Sequence, residues 1–385
     1  MHDVNHIVRY SFPTAIYFGA KARNLLPDQL RVNHVRRPLV VTDAGLAKLP
    51  VFSSFLDVLQ RDHLSPAAFS GIYGNPTLSQ VAQGVQAYRA HNADAIVAIG
   101  GGAAMDVAKA IGLLAHHPGH LFDYEDGKAD ARPFDQPIPY LVALPTTSGT
   151  GSEVGRSTVI SDDQTKVKKI IFDPCLLPKL VLADPELTLE LPAHVTAATG
   201  MDALSHLLES FIAKGFHPIC EGIALEGISI VARYLPKCVD ASARDLHARG
   251  MMMNAAMMGA IAFQKGLGVT HSCAHALSTV CDLHHGLANG IMLPHAMTFN
   301  LPHVEEKFKR VSKMIDVGHG KAEDVIDWLR DLQAACQVPT LLREVGVKQS
   351  HLKDLVHYAT IDTCHLSNPI TVTSSDFEAI FKQAI

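Results

Sequence analysis

Apolar positions change rhythm about midway along the 385-residue chain. Up to about residue 185, short continuous apolar runs alternate with amphipathic stretches. RRPLVVTDAGL reads as a buried strand ending at Thr42-Asp43, ADAIVAIGGG as a second, IPYLVALPTT as a third and LPKLVLADP as a later one. AAMDVAKAIGLLAHH carries helical spacing between them. Apolar runs without polar alternation suit parallel strands covered on both faces. This half is therefore expected to be a doubly wound, Rossmann-like α/β domain. After Asp184-Pro185, apolar residues recur at helical intervals through LPAHVTAATGMDALSHLLESFIA, EGIALEGISIVARYLPKCV, ARGMMMNAAMMGAIAFQKGLG, EDVIDWLRDLQAACQ and SSDFEAIFKQAI. That periodicity predicts an all-α second half. The Pro-marked stretch 185–192 separates the two, giving expected domains 1–185 and 186–385.

Composition removes several function classes. At 48% hydrophobic and 18% charged, the chain has the balance of a soluble globular protein rather than a disordered one. A formal net charge of -5, with charges scattered along the chain, offers no electrostatic basis for binding nucleic acid or an anionic membrane. Seven cysteines, odd in number and without a C-x-x-C pair, suit a reducing cytoplasm rather than a disulfide framework. The N-terminal MHDVNHIVRYSFPTA lacks the apolar core of a signal peptide, and no uninterrupted run of about 18 apolar residues is long enough to span a bilayer.

Candidate chemistry falls in both halves. Gly100, Gly101 and Gly102 follow a strand and open a helix, where backbone amides and the helix N-terminus favour a phosphate. A tight turn alone would use the same glycines. Asp106 and Lys109 follow at i,i+3, the spacing of an ordinary surface ion pair. Asp43 ends an earlier strand, where a carboxylate can accept from an adenosine ribose and would repel a 2′-phosphate, favouring NAD over NADP. PTTSGTGSEV, residues 145–154, presents Thr146, Thr147, Ser148 and Thr150 between small residues. Those hydroxyls can meet ribose or phosphate oxygens, although a solvated loop has the same composition. Glu153 in that loop reads as a capping or salt-bridge carboxylate.

In the second half Asp202 and His206 stand i,i+4, one helical turn apart on one face. His271 and His275 repeat the spacing, and His285 follows. Imidazoles plus a carboxylate suit a divalent first-row metal such as Fe²⁺ or Zn²⁺. Spacing does not choose among the five histidines between residues 271 and 295.

GGGAAMDVAKAIG, PTTSGTGSEV, ADPELTLELPAHVTAATGMDALSHLLES and GVTHSCAHALSTVCDLHHGLANGIMLPH resemble, in that order, the iron-containing (group III) alcohol dehydrogenases. FPTAIYFGAKARNLL and NPITVTSSDFEAIF are also similar, so the resemblance covers nearly the whole chain. It implies the architecture that the family shares with dehydroquinate synthase, and it implies roles. Asp202, His206, His271 and His285 fall on the metal ligands. His275 falls on a histidine near the nicotinamide, suited to relaying a proton. Gly100, Gly101, Gly102 and Asp106 fall on the pyrophosphate segment, Thr146, Thr147 and Thr150 on a loop that contacts the cofactor, Lys168 on a lysine near it, and Asp43 on the position associated with NAD.

The expected activity is hydride transfer between NAD and a small alcohol or aldehyde, with Fe²⁺, Zn²⁺ or another divalent metal, in a cytoplasmic homodimer. Four departures stand out: Ala103 for a common Ser, Gly155 for a common Thr, His284 for a common Pro, and an F-to-His spacing one residue short around Phe263 and Lys265. Two rivals remain. A lyase of the dehydroquinate synthase type would need several Lys and Arg for a sugar phosphate, and the metal-binding stretches are nearly free of them. A non-catalytic homologue that kept the fold would fail to bind NAD(H).

Overall fold

The computed structural model describes residues 12, 14–240, 242 and 244–385. Most of the N-terminal stretch read above for a signal peptide lies outside the described residues. The described residues divide into two compact units, one comprising residues 14–147 and 151–188, the other comprising residue 12, residues 148–150 and the described residues from 189 to 385.

In the first unit the strands are β1 (Ala15–Phe18), β2 (Pro38–Asp43), β3 (Ala67–Ile72), β4 (Ala95–Gly100), β5 (Tyr140–Pro145), β6 (Ser157–Ser161), β7 (Lys168–Phe172) and β8 (Leu180–Ala183). Its helices are α1 (Leu26–Val32), α2 (Pro50–Arg61), α3 (Leu78–His91) and α4 (Gly102–His116). Six strands form one sheet in the order β1-β8-β5-β4-β2-β3, every pairing parallel. The central strands β2 and β4 are buried on both faces, which explains their continuous apolar sequence. Strand alternation still assigns faces. Val97 and Ile99 join Phe52, Phe55 and Leu59 of α2 and Leu26 and Leu30 of α1 in one core, while Ile96 points to Gly112 of α4 on the other side.

The sequence pattern marked β2, β4, β5 and β8 and passed over the rest. β1 is a short, mostly exposed edge strand, and β3, AAFSGI, is built of small residues. β6 and β7 pair antiparallel as a separate hairpin, with Ser157 opposite Phe172 and Ser161 opposite Lys168.

The second unit holds α5 (Ala193–Ile212), α6 (Pro218–Val239), α7 (Leu246–Ala262), α8 (Val269–Cys281), α9 (His285–Ile315), α10 (Asp324–Ala335), α11 (Leu352–Ile361) and α12 (Ser374–Ala384). Among the described residues it contains helices and no strand, as its periodicity predicts. From Thr196 to Ile212 every residue of α5 except Thr199 is buried, and the helix packs against α6, α7 and α9. Asp202, His206 and Glu209 sit in that apolar helix, close to one face at i, i+4 and i+7. Gly286 sets how closely α9 approaches them. A Cβ there would lie 2.6 Å from the Ala198 carbonyl oxygen and 3.3 Å from the Asp202 Cβ. With glycine, the start of α9 can lie directly against α5 and bring His285 beside Asp202. No described helix is long and apolar enough to cross a membrane.

A candidate metal centre and a nucleotide-binding edge

Three helices converge on a buried cluster. Asp202 and His206 come from α5, His271 from the first turn of α8 and His285 from the first residue of α9. One ligand atom from each lies within 4.8 Å of the other three. The ring centroids of His206 and His271 are 4.5 Å apart, those of His271 and His285 5.6 Å, and His285 Nε2 lies 3.5 Å from Asp202 Oδ1. Asn289, one turn along α9 from His285, donates from Nδ2 to Asp202 Oδ1 at 2.7 Å.

The donor set fits a divalent cation. Burial lowers the His206 pKa to about 4, so the imidazole is neutral at neutral pH and keeps an unprotonated nitrogen. Its Nδ1 is buried without a hydrogen-bond partner among the described residues. Three imidazoles and one carboxylate form a mixed N/O set suited to Fe²⁺ or Zn²⁺.

Glu209, which sequence reasoning missed, organises this centre. Its carboxylate accepts from His271 Nδ1 at 2.6 Å, from the Gly268 amide at 2.9 Å and from the Thr270 amide at 2.6 Å. It therefore caps the start of α8 and orients the His271 ring with Nε2 turned toward the cluster, where it meets Asn289 Nδ2 at 3.4 Å. Burial alone would raise the Glu209 pKa, but the His271 and Thr270 hydrogen bonds hold it below the usual carboxylate value. The available signal was its type: an acid seven residues after Asp202 in an otherwise apolar helix. Glu209→Gln is expected to weaken metal affinity about 10–100-fold, read by competition against a chelator. Unchanged affinity would restrict Glu209 to capping the helix.

His275 lies beside the cluster rather than within it. Its ring stacks on His285 at 5.3 Å and 23°, and its Nδ1 meets Asp362 Oδ2 at 2.8 Å. His284 is the exposed N-cap of α9, its Nδ1 accepting from the Leu287 amide. The Phe263 ring lies 5.4 Å from that of His206, while Lys265 bonds the Phe211 carbonyl and Glu221.

In the first unit, chain order reverses between β2 and β4, and the carboxyl ends of these strands carry the other candidates. Asp43 ends β2 and accepts from the Gly45 and Leu46 amides through Oδ1, both at 2.9 Å. Its Oδ2 lies 3.4 Å from where a Gly100 Cβ would stand, and that Cβ would also lie 2.7 Å from Ala104 Cβ. Gly101 is the N-cap of α4 and supplies no side-chain cap; Gly102 is the first residue of the helix. The first-turn amides therefore have no side-chain acceptor from the cap. Thr146 donates its amide to the Gly100 carbonyl, and Thr147 packs against Gly101. Thr150 is half-buried three residues further on, and Lys168 opens β7.

Asp106 and Lys109 do not form the surface pair that their spacing allows. Lys109 is 1% exposed. Its Nζ donates to the Ser152, Gly155 and Ser157 carbonyls at 2.6, 3.0 and 2.8 Å and contacts Ser152 Oγ at 2.9 Å. Asp106 accepts from Ser152 Oγ at 2.6 Å and from the Val159 amide at 3.0 Å. Burial lowers the Lys109 pKa to about 8, against the pull of Asp106 and Glu153. Glu153 is buried near Lys109. It is 3% exposed, its Oε1 has no hydrogen-bond partner among the described residues, and burial raises its pKa to about 7.

Comparison with known proteins identifies the family. Residues 13–185 match the family described as iron-containing alcohol dehydrogenase, and residues 196–385 match the C-terminal family of Fe-containing alcohol dehydrogenases. A 4-hydroxybutyrate dehydrogenase of Cupriavidus necator is 37% identical, across 97% of this chain and 98% of its own. An NAD-dependent methanol dehydrogenase of Bacillus methanolicus is 34% identical, across 98% of this chain and 100% of its own. The crystal structure of a 1,3-propanediol oxidoreductase superposes with a TM-score of 0.93 at 34% identity, covering 99% of this chain and 100% of the other. The chain belongs to the iron-containing alcohol dehydrogenases. It is a metal-dependent oxidoreductase acting on alcohols.

Proposed function

We propose that the chain catalyses reversible hydride transfer between NAD(H) and a small alcohol or aldehyde. Residues 186–385 hold the metal and residues 1–185 the dinucleotide. The observation that carries this reading is the meeting of four ligand atoms, one carboxylate and three imidazoles, within 4.8 Å of one another. Asp202, His206, His271 and His285 hold a divalent cation, Fe²⁺ or in its place Zn²⁺. Lewis acidity toward the alcohol oxygen and hydride exchange at nicotinamide are the chemistry these two groups supply.

The remaining work falls to side chains. Asp43, with Oδ1 fixed by two amides, offers its carboxylate to the adenosine ribose and disfavours a 2′-phosphate. Gly100, Gly101 and Gly102 expose the first-turn amides of α4 to a pyrophosphate. Asp106 braces the adjoining segment through Ser152 and Val159, while Thr146, Thr147, Thr150 and Lys168 serve the same cofactor. His275 receives and passes on the hydroxyl proton. Support for NAD comes from Asp43 and from the NAD-dependent methanol dehydrogenase among the relatives. The protein works as a cytoplasmic homodimer.

The test is purification without oxygen, reconstitution with Fe²⁺, Zn²⁺ or Mn²⁺, and NADH absorbance across a panel of alcohols and aldehydes. Metal-dependent turnover with NAD(H), and little with NADP(H), is expected. Stoichiometric metal and tight NADH binding without turnover of any alcohol would overturn the reading.

A further inference from the structure

The proton-relay role of His275 leaves open which ring nitrogen does the work, and a side chain distant in sequence answers it. We infer that Asp362 is the positioning residue of the relay: it holds His275 in the tautomer with hydrogen on Nδ1, making Nε2 the working atom. The inference rests on the reading of His275 given above.

The geometry fixes each donor in turn. Asp362 follows the last turn of α11, and its two oxygens are used differently. Oδ1 accepts from the Cys364 amide at 2.9 Å and from Ser272 Oγ at 2.7 Å. Ser272 Oγ itself accepts from the His365 amide at 3.0 Å, which leaves its hydroxyl hydrogen for the carboxylate. Oδ2 faces His275 Nδ1 at 2.8 Å. An ionised carboxylate only accepts, so His275 Nδ1 must donate. The Cys364 thiol sulfur is farther from Nδ1, at 4.0 Å. A neutral His275 then carries its lone pair on Nε2.

This arrangement makes Asp362→Asn a sharp probe. The Cys364 amide can only donate, so the Asn carbonyl oxygen must stay where Oδ1 is now. Its NH₂ then faces His275 Nδ1, which must accept, and the hydrogen moves to Nε2. The side-chain shape is kept and the tautomer is reversed. Asp362→Ala instead leaves the ring free to choose.

Nitrogen-15 NMR of the zinc-loaded, histidine-labelled protein reads the tautomer directly, with the His275 signals assigned by their loss in His275→Gln. The wild type is expected to carry hydrogen on Nδ1, and Asp362→Asn on Nε2. In the same proteins Asp362→Asn should lower kcat on the order of 10²-fold or more, with KM for NADH within about twofold. Asp362→Ala should fall between Asp362→Asn and wild type. Asp362→Asn combined with His275→Ala should be no slower than His275→Ala alone. An unchanged tautomer in Asp362→Asn, or losses that multiply in the double variant, would overturn the inference. Wild-type turnover by His275→Ala would instead overturn the relay reading, while the NMR result would still decide what Asp362 does to the ring.

Discussion

A His271→Ala protein is expected to retain its fold, lose its divalent metal on purification and show no alcohol-dependent reduction of NAD above background. Four-ligand zinc sites bind with roughly 10–16 kcal/mol, so an even share is about 2.5–4 kcal/mol per ligand, on the order of 10²–10³-fold in affinity. The loss here should reach the upper end, because His271 is the ligand oriented by Glu209. Metal content by elemental analysis, alongside thermal unfolding and turnover, reads the outcome. Removing the imidazole also leaves Glu209 with only the Gly268 and Thr270 amides, which lowers Tm while the fold persists. His285→Ala is the control: His285 is half-buried, and the Glu209 bonds described above go to His271, Gly268 and Thr270, so the same metal loss is expected there with less destabilisation. Full metal occupancy in both variants would remove these residues from the ligand set.

Lys109→Met should cost about 3–5 kcal/mol of stability, the range for breaking a buried charged network by removing one partner. Methionine fills much of the volume but leaves the Ser152, Gly155 and Ser157 carbonyls without their donor. It also leaves Asp106 and Glu153 without the neighbouring cation that lowers the pKa of each. A drop in Tm of roughly 10 °C is expected. KM for NAD(H) should rise as well, since Lys109 ties α4 to the segment that follows Thr146, Thr147 and Thr150. Lys109→Arg should not rescue, because a guanidinium exceeds the volume of this closed site. A Tm within two or three degrees of wild type would show that the carbonyls find other donors at little cost.

Much of this architecture was legible because burial writes itself into period. β4 could be read from AIVAIG and α5 from its apolar spacing, since each buries nearly every side chain. β1, β3 and the β6–β7 hairpin were not legible. Their residues are exposed, small or preceded by lysines, and only their partners in the fold make them strands. In the metal-binding half, i,i+4 spacing paired Asp202 with His206 but could not rank five histidines. The fold separates their surroundings: His284 caps α9, His295 approaches the Thr340 carbonyl, and His275 pairs with Asp362. Asp362 is 87 residues from His275, beyond the reach of any local pattern. Glu209 could have been found, as a carboxylate in an apolar helix always needs a partner.

The double duty of Glu209 has a kinetic consequence. Its hydrogen bonds to His271 and to the first amides of α8 involve protein groups alone, as does the contact of Asn289 with Asp202. Asp202 and His271 are thus held in place by contacts that do not depend on the ion. Chelation should then yield an empty but assembled cage, and reloading should proceed at the speed of ion encounter and dehydration rather than of refolding. In a cell, the identity of the bound cation would follow whichever ion the surroundings supply, turnover by turnover, instead of being locked in when the chain first folds.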